Sequence, residues 1–218
     1  MNFFGHAAVA SWSSDEAGVA LGAMLPDFES MSGARVASVP DAAVAAGVAL
    51  HHATDAAFHR LPAVTALMRE LDERLAARGC ARGPRRAVAH IGVELLLDGV
   101  LVGDPAYRAA YTRALALDAD LVWRDPGDPL RFVGLLERLR AHGVPDDLRR
   151  PDAIAQRLAR MLARRPLLAP SAGDLRAIRA ALAEHQGRVE IAAETVLRGT
   201  RAALEREREP APPGAPGS

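Results

Sequence analysis

Lysine is absent from this 218-residue chain, so all 27 of its basic side chains are arginines. They balance 27 acids to a formal charge of zero, which removes the global electrostatic case for a nucleic-acid partner. A single cysteine, Cys80, excludes an internal disulfide and any thiolate-rich zinc cluster, and fits a reducing compartment. Aromatic residues are scarce, with five Phe, two Trp and two Tyr, so a core has to be built mainly of Leu, Val, Ala and Met. No apolar run approaches the ~18 residues needed to cross a bilayer. The opening MNFFGHAAVASW lacks the basic region of a signal peptide. A soluble, unexported, cytoplasmic protein without a membrane partner is therefore expected. Alternating strand patterns and internal repeats are missing too.

What remains is helical. Half of the residues are hydrophobic, much of that being alanine, and alanine and arginine both favour helix. The length suits one domain. Acids in SSDE at 13–16 offer a start for a helix over roughly 15–25, which Pro26 stops. After a looser stretch, ESMSGARVAS, prolines 40, 62, 84, 105, 129 and 151 each suit a first helical turn. They predict helices ending near His59, Gly79, Gly103, residue 119, residue 142 and Arg164. Ser171 can cap a last long helix over about 172–206, whose continuity Gly187 and Gly199 weaken. The tail EREREPAPPGAPGS is charge, proline and glycine, and residues 205–218 are expected to be disordered. The expected fold is all-α, about eight helices in one bundle-like domain over residues 1–204.

Two stretches carry the chemistry. In AGVALHHATDAAFH, residues 46–59, His51, Asp55 and His59 recur every fourth position and so share one helical face. In VAHIGVELLLD, residues 88–98, His90, Glu94 and Asp98 repeat that spacing in the same apolar setting. One such stripe is ordinarily a surface hydrogen bond or a satisfied core pair. Two matched stripes embedded in apolar sequence are different, because buried ionisable groups are costly unless paired or bound to metal. Facing helices that present His and carboxylate one turn apart are how helical bundles hold metals. Asp27, in the apolar context LPDF, is either a helix-end carboxylate or a further ligand. His6 has no partner at helical spacing and reads as a core histidine, while His52 points off the stripe. Arg164 and Arg165 suit a helix C-terminus, and equally a phosphate. Glu184, His185 and Glu190 are explained by helix charge patterning as well as by any approach to the site.

The order of these motifs resembles the acyl carrier protein phosphodiesterase family, whose members have an HD-domain-like, all-helical fold. MNFFGH resembles the family's Asn-Phe-Leu-x-His opening, and GAMLPDF its Gly-x-x-Leu-x-Asp-Phe element at Asp27. AGVALHHATDAAFHRLPAV resembles its Ala-Gly-Ile-x-x-His-x-x-x-Asp segment followed by Leu-Pro, which places His51 and Asp55 on family residues. MLARRPLL resembles Met-x-x-Arg-Arg-Pro, and His185 with Glu190 a late His followed five residues on by Glu. The likeness spans about residues 1–200. The chain departs from the pattern with His52 for the usual Arg and His59 for a second acid. His90 and Glu94-Leu95 stand where the family has Asp and then Asp-His.

The resemblance implies a metal-dependent hydrolase that cleaves the phosphodiester between phosphopantetheine and a serine of an acidic acyl carrier protein. His51, Asp55, His90 and Glu94 would hold the metal, with Asp27 and His59 as further ligands. Arg164 and Arg165 would clamp the phosphate. The added imidazoles suit Mn, Fe or Zn better than Mg. Two other classes fit the same residues: a helical non-heme iron enzyme carrying out an oxidation, and a non-catalytic binding protein on the same fold.

Overall fold

Prolines and short acidic caps set most of the helix boundaries. Pro62, Pro105 and Pro151 each open a helix in its first turn, where their missing N–H has no intrahelical partner to serve. Asp104 caps one start by accepting from Ala106 N at 2.7 Å. Ser171 and Asp174 cap another reciprocally. Ser171 Oγ accepts from Asp174 N at 3.1 Å, and Asp174 Oδ2 accepts from Ser171 N at 2.9 Å.

The computed structural model describes residues 1–208. Among these residues lie nine α-helices: α1 (Phe3–Ala10), α2 (Ala17–Ser32), α3 (Ala42–Arg60), α4 (Pro62–Ala77), α5 (Arg82–Leu101), α6 (Pro105–Ala116), α7 (Asp128–His142), α8 (Pro151–Leu162) and α9 (Ala172–Arg208). The fold is all-α, in one domain with one continuous hydrophobic core. None of these helices is long and apolar enough to cross a membrane.

The structure departs from the expected boundaries in five places. Phe3–Ala10 is a helix, buried along its whole length. A segment apolar on every face has no periodicity to announce it, and such a helix belongs in the middle of a core. Next, α2 does not stop at Pro26 but runs on to Ser32. An interior proline costs about 3 kcal/mol, while burying each large apolar side chain recovers roughly 1.5–3 kcal/mol. Leu25 and Phe28 around that proline are both completely buried.

Third, the start of α3 is capped by Asp41, which accepts from Ala43 N and Val44 N, and Pro40 lies just outside. Fourth, the loose stretch before it contributes a strand, β1 (Val36–Ser38), paired antiparallel with β2 (Val122–Trp123) in the register Val36–Trp123 and Ser38–Val122. So short a pair has no alternation to detect. Fifth, α9 runs unbroken through Gly187 and Gly199 and takes in residues 205–208 of the expected disordered tail. Glu and Arg are good helix formers, and extending a formed helix needs no new nucleus. Residues 209–218 of that tail lie outside the described residues.

The most extensive helix contact is between α2 and α3. It is made by two glycines in close approach. A Cβ on Gly22 would lie 2.0 Å from the Val44 carbonyl oxygen, and one on Gly47 would lie 2.2 Å from that of Val19. Only hydrogen fits there, and the opposing atoms are backbone, which cannot step aside. This crossing fixes the register of α2 on α3, and with it the position of His51 one turn beyond Gly47.

Gly47→Ala should therefore cost roughly 3 kcal/mol, the upper part of the usual overpacking range. Gly187 has nothing within 4 Å of its would-be Cβ, so Gly187→Ala should instead stabilise by up to about 1 kcal/mol. Denaturant unfolding of the two variants beside the parent checks both signs.

Candidate metal centre

The His51 stripe on α3 and the His90 stripe on α5 face the same interior space, with the start of α1 between them. His51 is positioned from α2: its Nδ1 lies 2.9 Å from the carbonyl oxygen of Ala23. A carbonyl can only accept, so Nδ1 carries the proton and Nε2 keeps its lone pair. That Nε2 points toward Asp55, 3.6 Å from Oδ2. In the same turn of α2, Pro26 has no N–H to offer the carbonyl of Gly22.

His6, on α1, stacks on His51 with ring centroids 3.9 Å apart and lies 3.2 Å from Asp55 Oδ1. Its Nε2 faces that carboxylate, and its buried Nδ1 has no hydrogen-bond partner. Burial lowers its pKa to about 4, so it is neutral at pH 7. Asp27, one turn beyond Ala23, completes a group: donor atoms of His6, Asp27 and His51 all lie within 4.8 Å of one another. Asp27 Oδ2 is buried and has no partner, and burial pushes the carboxyl up to about 7.

A second group stands beside it. His59, His90 and Glu94 also bring their donor atoms within 4.8 Å of one another. Glu94 Oε1 is 3.1 Å from His90 Nε2 and 3.5 Å from His59 Nε2, and the two imidazoles stack at 4.7 Å. Burial works to raise the Glu94 pKa, but the His90 hydrogen bond and nearby positive charge outweigh it and hold the carboxyl below its usual value. The same hydrogen bond raises His90. Between the groups, the Met1 ammonium lies 3.0 Å from Asp55 Oδ1 and 3.2 Å from Glu94 Oε1. A positive charge is thus accommodated where the two stripes converge.

The two stripes do not contribute all their members. Asp98 is fully buried rather than near the surface at a helix end, accepts from Gly5 N at 3.1 Å through Oδ1, and leaves Oδ2 without a partner. Burial raises its pKa well above the usual range. His52 is exposed and touches the site only through an edge contact with His51. His185 is buried on α9, where its ionisable neighbours are Glu70, Arg74 and Arg188 rather than the two groups.

Arg164 and Arg165 are exposed on the turn after α8. The arginine at the site is instead Arg157. It lines a cavity of about 280 Å³ that reaches Asp27 and Glu94. Sequence reading passed over it because it belongs to α8's amphipathic pattern and to no motif. His6 is the buried histidine expected, and its neighbours at the site, Asp27, His51 and Asp55, lie too far along the chain for local spacing to reveal them.

Comparison with protein-family models, curated proteins and solved structures finds no match. The family resemblance rests on the order of its motifs.

His185 supplies a pH test away from the two groups. Burial and nearby Arg74 lower its pKa, against the opposing pull of Glu70 and of a backbone hydrogen bond at Leu67. Unfolded, it titrates near 6.5. Its contribution is therefore present above that pH and lost as pH falls toward the folded value. His185→Leu should lose less of its melting temperature than the parent between pH 7 and pH 5. Equal slopes would remove His185 as a source of acid sensitivity.

Proposed function

We propose that the chain is a metal-dependent hydrolase acting on phosphoric ester bonds. The observation that carries this reading is the pair of adjacent two-histidine, one-carboxylate groups, His6–Asp27–His51 and His59–His90–Glu94, with Asp55 at the first group and beside its neighbour. The residues fit a divalent cation. His51 presents an unprotonated Nε2, His6 is neutral, and Asp27 has a buried oxygen with no partner. Such unsatisfied buried groups are costly unless something binds them. The nitrogen-rich set favours Mn, Fe or Zn over Mg.

A cation bound there supplies Lewis-acid chemistry: it offsets charge on a phosphoryl oxygen and acidifies a water at neutral pH. The chain's own residues do the rest. The Ala23 carbonyl keeps His51 in one tautomer, a control typical of ligating histidines. Asp27 completes the donor set or orients the water, and with a pKa of about 7 it exchanges a proton readily at neutral pH. Arg82, Arg86, Arg149, Arg150, Arg160, Arg164 and Arg165 are exposed, and would suit the docking of an acidic acyl carrier protein, the partner that the motif order suggests.

One observation favours a second reading. Two histidines with one carboxylate are also the ligand set of non-heme iron oxygenases. Bound iron with an oxygen-sensitive optical spectrum, and no hydrolysis of phosphodiesters, would decide for it.

Protein purified without chelator should carry close to two divalent ions per chain. His51→Ala and Glu94→Ala should each lose about one of them and depress hydrolysis of bis(4-nitrophenyl) phosphate and holo-acyl carrier protein by ~100-fold or more. A parent that binds no metal, and melts at the same temperature with and without chelator, would leave these groups as hydrogen-bonded clusters in a binding protein and defeat the hydrolase reading.

A further inference from the structure

We infer that the cavity beside the two groups binds the alkyl arm of an amphiphilic phosphate ester, with Arg157 meeting its anionic head. This deepens the hydrolase reading by naming a substrate class, and rests on that reading for the reaction though not for binding of the arm.

The cavity, about 280 Å³, has a mixed lining in which α2, α5 and α8 each contribute an apolar and a charged side chain. Its apolar residues are Phe3, Met31, Ile91 and Met161. Met31 on α2 and Met161 on α8 are 43% and 44% exposed, whereas most of the large apolar side chains are buried. Unbranched, polarisable methionines at the edge of a cleft adapt to flexible apolar ligands. Drug-sized ligands ordinarily occupy about 300–1,000 Å³, so this volume suits one chain rather than a ring system.

The rest of the lining includes three charged residues. Asp27 and Glu94 reach the cavity from the two groups, and Arg157 reaches it from α8. Every hydrogen bond that Arg157 makes among the described residues runs from Nη2 to Asp147, at 3.1 and 3.2 Å. Asp147 in turn lies 3.5 Å from His142. One edge of the guanidinium is thereby anchored, which fixes the group beside the cavity and leaves its other nitrogens without an acceptor. An arginine so held matches a phosphate better than a neutral head, because charge-assisted bonds to a phosphoryl group are its strongest pairing. Asp27 and Glu94 disfavour a bare anion, so a cation at the two groups would strengthen the hold on the head, while the arm and the Arg157 contact do not depend on it. The apolar lining residues then accept what the ester oxygen carries.

The test is calorimetric titration of full-length protein with methyl, butyl and octyl phosphate, loaded with manganese and again after chelation. Affinity should rise about fourfold per methylene from methyl to butyl, then level off as the cavity fills. Met31→Gln combined with Met161→Gln should flatten that series and spare methyl phosphate. Both side chains are partly exposed, so the fold should tolerate the change. Arg157→Gln should weaken every member about tenfold or more, with Arg157→Lys recovering part of the loss and metal content unchanged in both.

A flat chain-length series in the parent overturns the inference. So does a gain that survives the double methionine variant, or methyl phosphate binding equal to the parent in both Arg157 variants. A chain-length gain that persists after chelation, in a protein that hydrolyses no phosphate ester, overturns the hydrolase reading and leaves this inference standing. Hydrolysis of generic diesters with a flat series does the reverse.

Discussion

The hydrogen bond from His51 Nδ1 to the Ala23 carbonyl is the contact through which the fold reaches the chemistry. It exists because Gly22 and Gly47 let α2 and α3 approach until backbone meets backbone. A side chain at either glycine would push the helices apart and move that carbonyl away from the ring. The same contact selects the tautomer that frees Nε2. It also places Asp27, one turn further along α2, against His51 and His6. Helix packing, protonation state and the clustering of these side chains are thus set together.

Around that contact, burial acts on titratable groups in opposite directions. It lowers His6 to about 4 and raises Asp27 to about 7, so each tends toward its uncharged form. Asp55 and Glu94 go the other way despite burial, because His6, His90 and the Met1 ammonium stabilise their charged forms. At neutral pH the interior therefore holds a neutral His6 beside ionised Asp55 and Glu94, while Asp27, Asp98 and His90 are each shifted toward their protonated forms. Any cation bound among these groups would have to displace protons from Asp27 and His90.

Much of this was legible in the sequence, for an identifiable reason. His51, Asp55, His90 and Glu94 belong to short-range repeats whose helical phase is a matter of local geometry, and helix brings each set onto one face. Helix starts at Pro62, Pro105 and Pro151 followed from backbone sterics within a single turn. The misplaced features depend on partners far along the chain. Pro26 lies inside a helix because α2 has α3 to pack on, and His6 joins the site because α1 stacks it on a residue 45 positions later. Arg157 faces the cavity through the way α8 lies against the core, which no motif records.

The sequence by itself determined the all-α class, most helix boundaries and the two stripes of His and carboxylate, since capping, proline sterics and the 3.6-residue repeat act within a few residues. Only the tertiary structure decided which of these side chains stand together. His6 and Asp27 were drawn in with His51, Asp98 was sealed against Gly5, and Arg157 rather than Arg164 or Arg165 came to the cavity. Those outcomes depend on close approach between segments distant in sequence. Approach of that kind is governed by packing over whole helix faces, and local spacing carries no measure of it.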